Sequence, residues 1–206
     1  DSESLVMNGN IDGFTISNNI IHNNNNIGID MVGFEGTARH TGGHKSADPF
    51  EVDFARNGRC FGNTVYNISA EGNPAYLKDR GNDSENGGER SGESSEENYG
   101  EYDLCADGIY VDGGQDIEIY NNYVYNCDIG VEAATEHSPD DTEMFRVTGI
   151  SVHDNVIKDC NGLCGLCFGG YNGSRGFTEK CEFYNNTLID NGTQVIVQRS
   201  NDNSIH

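Results

Sequence analysis

Positive charge is scarce in this sequence. Only 12 of its 206 residues are Lys or Arg, against 34 Asp or Glu, which leaves a net charge of −22. A surface of that sign repels phosphate, so the usual nucleic-acid footprint is excluded and an anionic membrane is disfavoured. No apolar run approaches the length that spans a bilayer. Hydrophobic residues make up 34% of the chain, too few for a thick two-layer core. The seven cysteines are odd in number and give no clean disulfide framework. There is no EF-hand loop and no glycine-rich calcium repeat. No leader segment is visible, yet Asp1 is not a native start. Ser200 to Ile205 read as the opening of another repeat. The expectation is one domain that is a segment of a longer protein.

Gly and Asn are abundant, and they recur with a period. From Gly108 to Glu132 the chain reads GIYVDGGQDIEIYNNYVYNCDIGVE. Three short β-type runs, each ended by turn residues, are followed by a return of the first run about twenty residues on, as in a solenoid coil. The same corner recurs at Asn19, Asn63, Asn122, Asn155 and Asn186. An Asn at a tight turn adopts a left-handed backbone readily, and its amide can bond the same amide one coil away. Three residues before each Asn stands an apolar residue: Ile16, Cys60, Ile119, Val152 and Phe183. Those are inward strand positions. Cys127 and Cys160 also take equivalent places and are expected to stack in neighbouring coils as a thiol ladder, a bridge needing oxidation and suitable Cβ geometry. The fold is therefore read as all-β, a parallel β-helix (a single-stranded solenoid) of about five coils. At about 4.8 Å per coil, it would form a rod roughly 24 Å long.

The stretches DGFTISNNIIHNNNNIGID, DIEIYNNYVYNCDIGVE, GISVHDNVIKDCNG and CEFYNNTLIDNG resemble the right-handed parallel β-helix proteins, the pectate-lyase-like superfamily of polysaccharide-active solenoids. The resemblance implies the right-handed sense, in keeping with the crossover rule for parallel strands. It implies a secreted or cell-surface protein whose partner is a polysaccharide or oligosaccharide. The fold hosts hydrolases, lyases and adhesins alike, so chemistry must be argued from the site.

Four insertions interrupt the coils: Gly33 to Asp53, Lys78 to Leu104, Thr135 to Val147 and Gly170 to Thr178. The second is acidic and low in complexity. All adjoin the run that carries Asp30, Asp112, Glu132 and Cys167, and insertions on one face of a solenoid wall a binding site. Asp112 and Glu132 are the expected catalytic pair, because two carboxyls about 5–8 Å apart suit glycosidic cleavage. Glu132 is expected as acid/base and Asp112 as nucleophile or second carboxylate, with a two-residue ambiguity in the alignment of Asp112 that leaves it on the same face. Asp30, Asp107, Glu136, His137, Tyr171 and Arg175 are expected to contact substrate, through carboxylate and imidazole hydrogen bonds, ring stacking and pairing with a uronate. Hydrolysis needs no cofactor. The alternatives are a Ca²⁺-dependent polysaccharide lyase, with Asp30, Asp107, Asp112 and Glu132 as hard oxygen ligands, and a non-catalytic carbohydrate-binding or adhesive solenoid. Cys160-x₃-Cys164-x₂-Cys167 spans a turn and a strand, which argues against an iron–sulfur cluster. His40 and His44 read as plain loop residues.

Overall fold

A computed structural model describes residues 3–35, 37, 52–78, 102–135, 146–169, 177–198 and 200–206. Almost every described element is a strand, and the strands stack into three parallel sheets. The one helical element among the described residues is a 3₁₀ turn, Pro74–Tyr76, capped by the Asn73 side chain.

The chain visits the sheets in turn. The first circuit is β1 (Leu5–Asn8), β2 (Ile11–Ser17) and β3 (Ile20–Asn24). The second is β4 (Ile29–Val32), β5 (Ala55–Phe61) and β6 (Thr64–Ile68). The third is β7 (Asp107–Asp112), β8 (Gln115–Tyr120) and β9 (Tyr123–Cys127). Next come β10 (Ile129–Ala134), the split strand β11 (Val147–Thr148) and β12 (Ser151–His153), and β13 (Val156–Lys158). They are followed by β14 (Cys164–Phe168), β15 (Thr178–Glu179), β16 (Glu182–Tyr184) and β17 (Thr187–Ile189). Last are β18 (Val195–Val197), β19 (Ser200–Asn201) and β20 (Ser204–Ile205). The first sheet runs β1-β4-β7-β10-β14-β18 and the third β17-β13-β9-β6-β3. The second collects the strands between them. Three stacked parallel sheets of this kind are consistent with a parallel β-helix.

The abundance of Asn, Asp and Gly follows from the corners. In one column Asn18, Gly62, Asn121, Asp154 and Asn185 all have φ between 53° and 66°. In a second, Asn23, Asn67, Asn126, Asp159 and Asp190 have φ between 49° and 57°. A third, Gly13, Asn57, Asp116, Gly149, Lys180 and Asp202, bends the second sheet and splits its later strands. Such left-handed backbones are disfavoured for other L-residues. The expected left-handed residue is therefore displaced by one position. It is the residue before the recurring Asn that turns the chain.

The recurring Asn does something else. Asn19 Nδ2 donates to Asn63 Oδ1 at 2.9 Å, Asn63 to Asn122 at 3.0 Å, Asn122 to Asn155 at 3.0 Å and Asn155 to Asn186 at 2.9 Å. The same oxygens accept the backbone N–H of the preceding Asn. The remaining amide hydrogen reaches a strand carbonyl one circuit back, as Asn122 does to Cys60 and Asn155 to Ile119. Every buried amide along this column is thus partnered, as buried polar groups must be. Inside it, Ile16, Cys60, Ile119, Val152 and Phe183 stand in register and are buried, as their spacing predicts. Full burial of one such side chain contributes roughly 1.5–3 kcal/mol.

The first sheet corrects the expected repeat length. Ile109 pairs with Val131, not with Ile129. The return therefore takes 22 residues from Ile109, two more than the similarity of IYV and IGV suggests. Gly28, Gly108, Gly130 and Gly165 open this sheet's strands. A Cβ on Gly108 would meet the Gly130 carbonyl oxygen at 2.7 Å and a Val124 methyl at 2.6 Å, so close backbone approach requires glycine there.

Candidate functional site on the first sheet

The insertions adjoin the first sheet, three leaving it and the longest entering it from the third, and their bases are fastened. Asp128 Oδ2 accepts the N–H of Ala70 at 2.7 Å and of Ala106 at 3.2 Å. One carboxylate so clamps both ends of the longest insertion. Within that insertion's stem, Leu77 and Tyr102 form an antiparallel bridge, as Gly33 and Phe54 do at the base of the one before. The base of the last insertion is tied by Thr178, whose hydroxyl donates to the Ala133 carbonyl at 2.9 Å and accepts from Gly169 N–H at 3.2 Å.

These bases hold an acidic face. Asp30, Tyr110 and Glu132 share one column of the first sheet, followed by Cys167. Asp112 lies opposite Ala134, two residues along from Tyr110, which is the partner of Glu132. Strand spacing and rise put the Asp112 and Glu132 backbones about 8 Å apart on a diagonal, still on one face. The nearest acid to Glu132 is instead Asp107, which shares a hydrogen bond with it. Asp30 feels Asp112 as its strongest charged neighbour. Two acid pairs, Asp30 with Asp112 and Asp107 with Glu132, therefore lie diagonally on either side of Tyr110.

Their electrostatics follow from burial. Asp30 is 4% exposed and Asp107 3%. Burial, then the charge of Asp112, raises the Asp30 carboxyl well above the usual carboxylate range. Burial, then the charge and hydrogen bond of Glu132, does the same to Asp107. Asp107 is thus the proton donor in its bond to Glu132. The Oδ1 atoms of Asp30 and Asp107 are buried without a hydrogen-bond partner. Glu132 is the half-exposed acid of the four. Beyond it, Ile129, Cys164, Cys167 and Ile196 form a small apolar patch. The Cys167 thiol is pushed up, first by its bond to Cys164, then by burial and by the charges of Glu132 and Asp107.

Among the described residues no three His, Cys, Asp or Glu side chains converge closely enough to hold a metal ion. The charge of Asp30 also reaches Asp107, so the two pairs form one acidic face. Of the expected substrate contacts, the structure places Asp30 and Asp107 on this face. Glu136, His137, Tyr171 and Arg175 lie outside the described residues, as do His40 and His44. Tyr110 and Asp128 were missed by sequence reasoning. Tyr110 shares the column of Asp30 once the register is known, and Asp128 follows a corner Cys, where its carboxylate reads as one more turn residue.

The chain matches no protein-family model, and no solved structure matches it. It is 40% identical over 193 residues to the uncharacterized protein YwoF of Bacillus subtilis (strain 168). That alignment takes in 94% of this chain and 32% of the relative, so the chain spans about a third of the relative's length.

Proposed function

We propose that this chain is part of a right-handed parallel β-helix of the pectate-lyase-like class, with about five coils, and that its first sheet cleaves glycosidic bonds in an extracellular polysaccharide or oligosaccharide. The carrying observation is the gathering of Asp30, Asp107, Asp112 and Glu132 around Tyr110, beside the bases of the insertions. Glycosidic cleavage needs one carboxyl that holds a proton and another that does not. Each pair supplies both states, because like charges at close range cannot both ionise freely. Glu132, half-exposed and accepting the Asp107 proton in a hydrogen bond, is the ionised group that activates water. Asp30 holds the proton beside the charge of Asp112; it passes to the leaving oxygen by way of the Asp112 carboxylate, and the proton that Glu132 takes from water restores it. This assignment reverses the roles expected from sequence. A carboxyl separation near the roughly 8 Å backbone diagonal falls in the range of about 6.5–9.5 Å that favours inversion. The net charge of −22 makes a neutral glycan the better substrate than a polyuronate.

Product analysis on a panel of neutral and acidic polysaccharides tests this. Saturated reducing ends of inverted configuration, read by NMR during the reaction, are expected. Unsaturated products would establish the lyase instead, and binding without products would establish a non-catalytic solenoid.

A further inference from the structure

At the corner between the third and first sheets, two sulfurs meet that the proposed chemistry does not use. Cys127 ends β9, and Cys160 follows β13 by two residues. Tyr125 pairs with Lys158, so the next inward position sets Cys127 beside Cys160, one circuit on. Adjacent parallel strands lie about 4.8 Å apart, inside the roughly 4.4–6.8 Å Cα range of disulfides. Cys127 Sγ donates to the Tyr125 carbonyl at 3.5 Å and Cys160 Sγ to the Lys158 carbonyl at 3.4 Å, the same contact on successive circuits. Each sulfur is the largest influence on the other's titration, raising Cys127 and lowering Cys160. Both are buried in the core. Glycine leaves them room: a Cβ on Gly108 would come within 3.2 Å of Cys127 Sγ, and one on Gly130 within 3.2 Å of Cys160 Sγ.

The other thiols are differently placed. Cys164 and Cys167 bond each other within one strand, on the outer face. Three residues along a strand separate Cα atoms by about 10 Å, beyond disulfide reach without backbone movement. Cys60 contacts the Asn63 amide and Cys181 the Glu179 carbonyl, each through Sγ. The pair at the third corner is the one in which register, contact and space coincide.

We propose that Cys127 and Cys160 are a disulfide-forming pair that staples two consecutive circuits when the chain folds in an oxidising compartment. The oxidant is a small disulfide such as glutathione disulfide. A thiolate of one cysteine attacks it, releasing one glutathione and leaving a mixed disulfide. The thiolate of the other cysteine, brought alongside by the strand register, then attacks the protein sulfur of that mixed disulfide and releases the second glutathione. Two protein thiols are oxidised, two protons are lost, and one glutathione disulfide is reduced to two glutathiones. Burial of both sulfurs places the first exchange before the corner closes.

The staple joins residues 33 apart, across the whole of the fourth circuit up to its last corner. Such a loop is long enough for a substantial restriction of the unfolded chain. The test is to unfold and reduce the chain, refold it in a glutathione redox buffer, and compare it with chain refolded under full reduction. After oxidative refolding the expected thiol titre in denaturant falls from seven to five. Tandem mass spectrometry should find Cys127 linked to Cys160. The melting temperature should rise by roughly 5–10 °C over the reduced form, and Cys127→Ser should lose that rise while Cys105→Ser keeps it. Seven titrating thiols, or a linkage between other cysteines in place of this one, would overturn the proposal. So would equal melting temperatures of the oxidised and reduced parent, a comparison that needs no variant to fold.

Discussion

The Asn corner and the acid face bury polar groups in opposite ways. Along Asn19, Asn63, Asn122, Asn155 and Asn186, oxygen and amide groups are matched within hydrogen-bond distance from one circuit to the next. On the first sheet, Asp30 and Asp107 carry buried oxygens without a partner, and their carboxyls are held toward the protonated form. Both regions are built on the same stacked circuits, the Asn column where the second sheet meets the third and the acids on the first. The difference teaches where this chain places stability and where it tolerates instability. A column that satisfies itself can be extended circuit after circuit. A face that leaves acids mismatched is costly to the fold, which is how catalytic sites commonly behave.

The largest effect belongs to the self-satisfied side. Ile119→Asp sets a carboxylate in the core beside the Asn column, where an unpaired buried charge costs several kcal/mol. Loss of the folded β signal in circular dichroism is expected; a parent-like thermal transition would contradict the inward assignment. Asn122→Ala comes next. It takes the acceptor from the Asn63 backbone N–H and from one hydrogen of the Asn63 amide, and a donor from the Cys60 carbonyl, while Asn155 Oδ1 keeps the backbone N–H of residue 122. At about 1–3 kcal/mol for each unsatisfied group, with partial rescue by water, a loss of roughly 3–5 kcal/mol is expected in denaturant titration.

On the acid face the sign reverses. Asp30→Asn and Asp107→Asn remove buried carboxyls that resist ionisation, and in the second variant the new amide can still donate to Glu132. Each should raise stability near neutral pH, by on the order of 1 kcal/mol. Destabilisation by both would erase the contrast between the two regions. The pH dependence sharpens it. A carboxyl whose folded pKa lies above its unfolded value of about 3.9 binds its proton more tightly in the folded state. Its stabilising contribution is complete below the unfolded pKa and is lost as pH rises through the folded pKa. Melting temperature should therefore fall from mildly acidic toward alkaline pH. The general self-repulsion of so acidic a chain acts in the same direction. The diagnostic is a flatter slope in the Asp30→Asn, Asp107→Asn double variant, and an unchanged slope would assign the effect to net charge alone.

The two regions also differ in how far they can be read from sequence. The Asn corner joins strands of the second and third sheets through a turn of constant length, so a five-fold match of Asn and of the apolar residue three before it locates both columns. The corner from the third sheet into the first varies. Val131 follows Asn122 by nine residues, whereas Leu166 follows Asn155 by eleven, and these two are paired across neighbouring strands. That variation hides the register of the first sheet, and a shift of two residues preserves alternation, so no pattern of apolar residues betrays it. The acids of the face were legible because the insertions adjoin them. Their pairing was not, since Asp107 meets Glu132 only once the strands are set side by side.

The central claim is that the mismatched acids do chemistry rather than merely burden the fold, and Glu132→Gln tests it most directly. The variant keeps the shape of the side chain and an oxygen to accept the Asp107 hydrogen bond, but it cannot take a proton from water. With the substrate that the parent cleaves best, a loss of about 10²–10⁴-fold in the rate of reducing-end release is expected, at a melting temperature no lower than the parent's. Full activity in Glu132→Gln would contradict it.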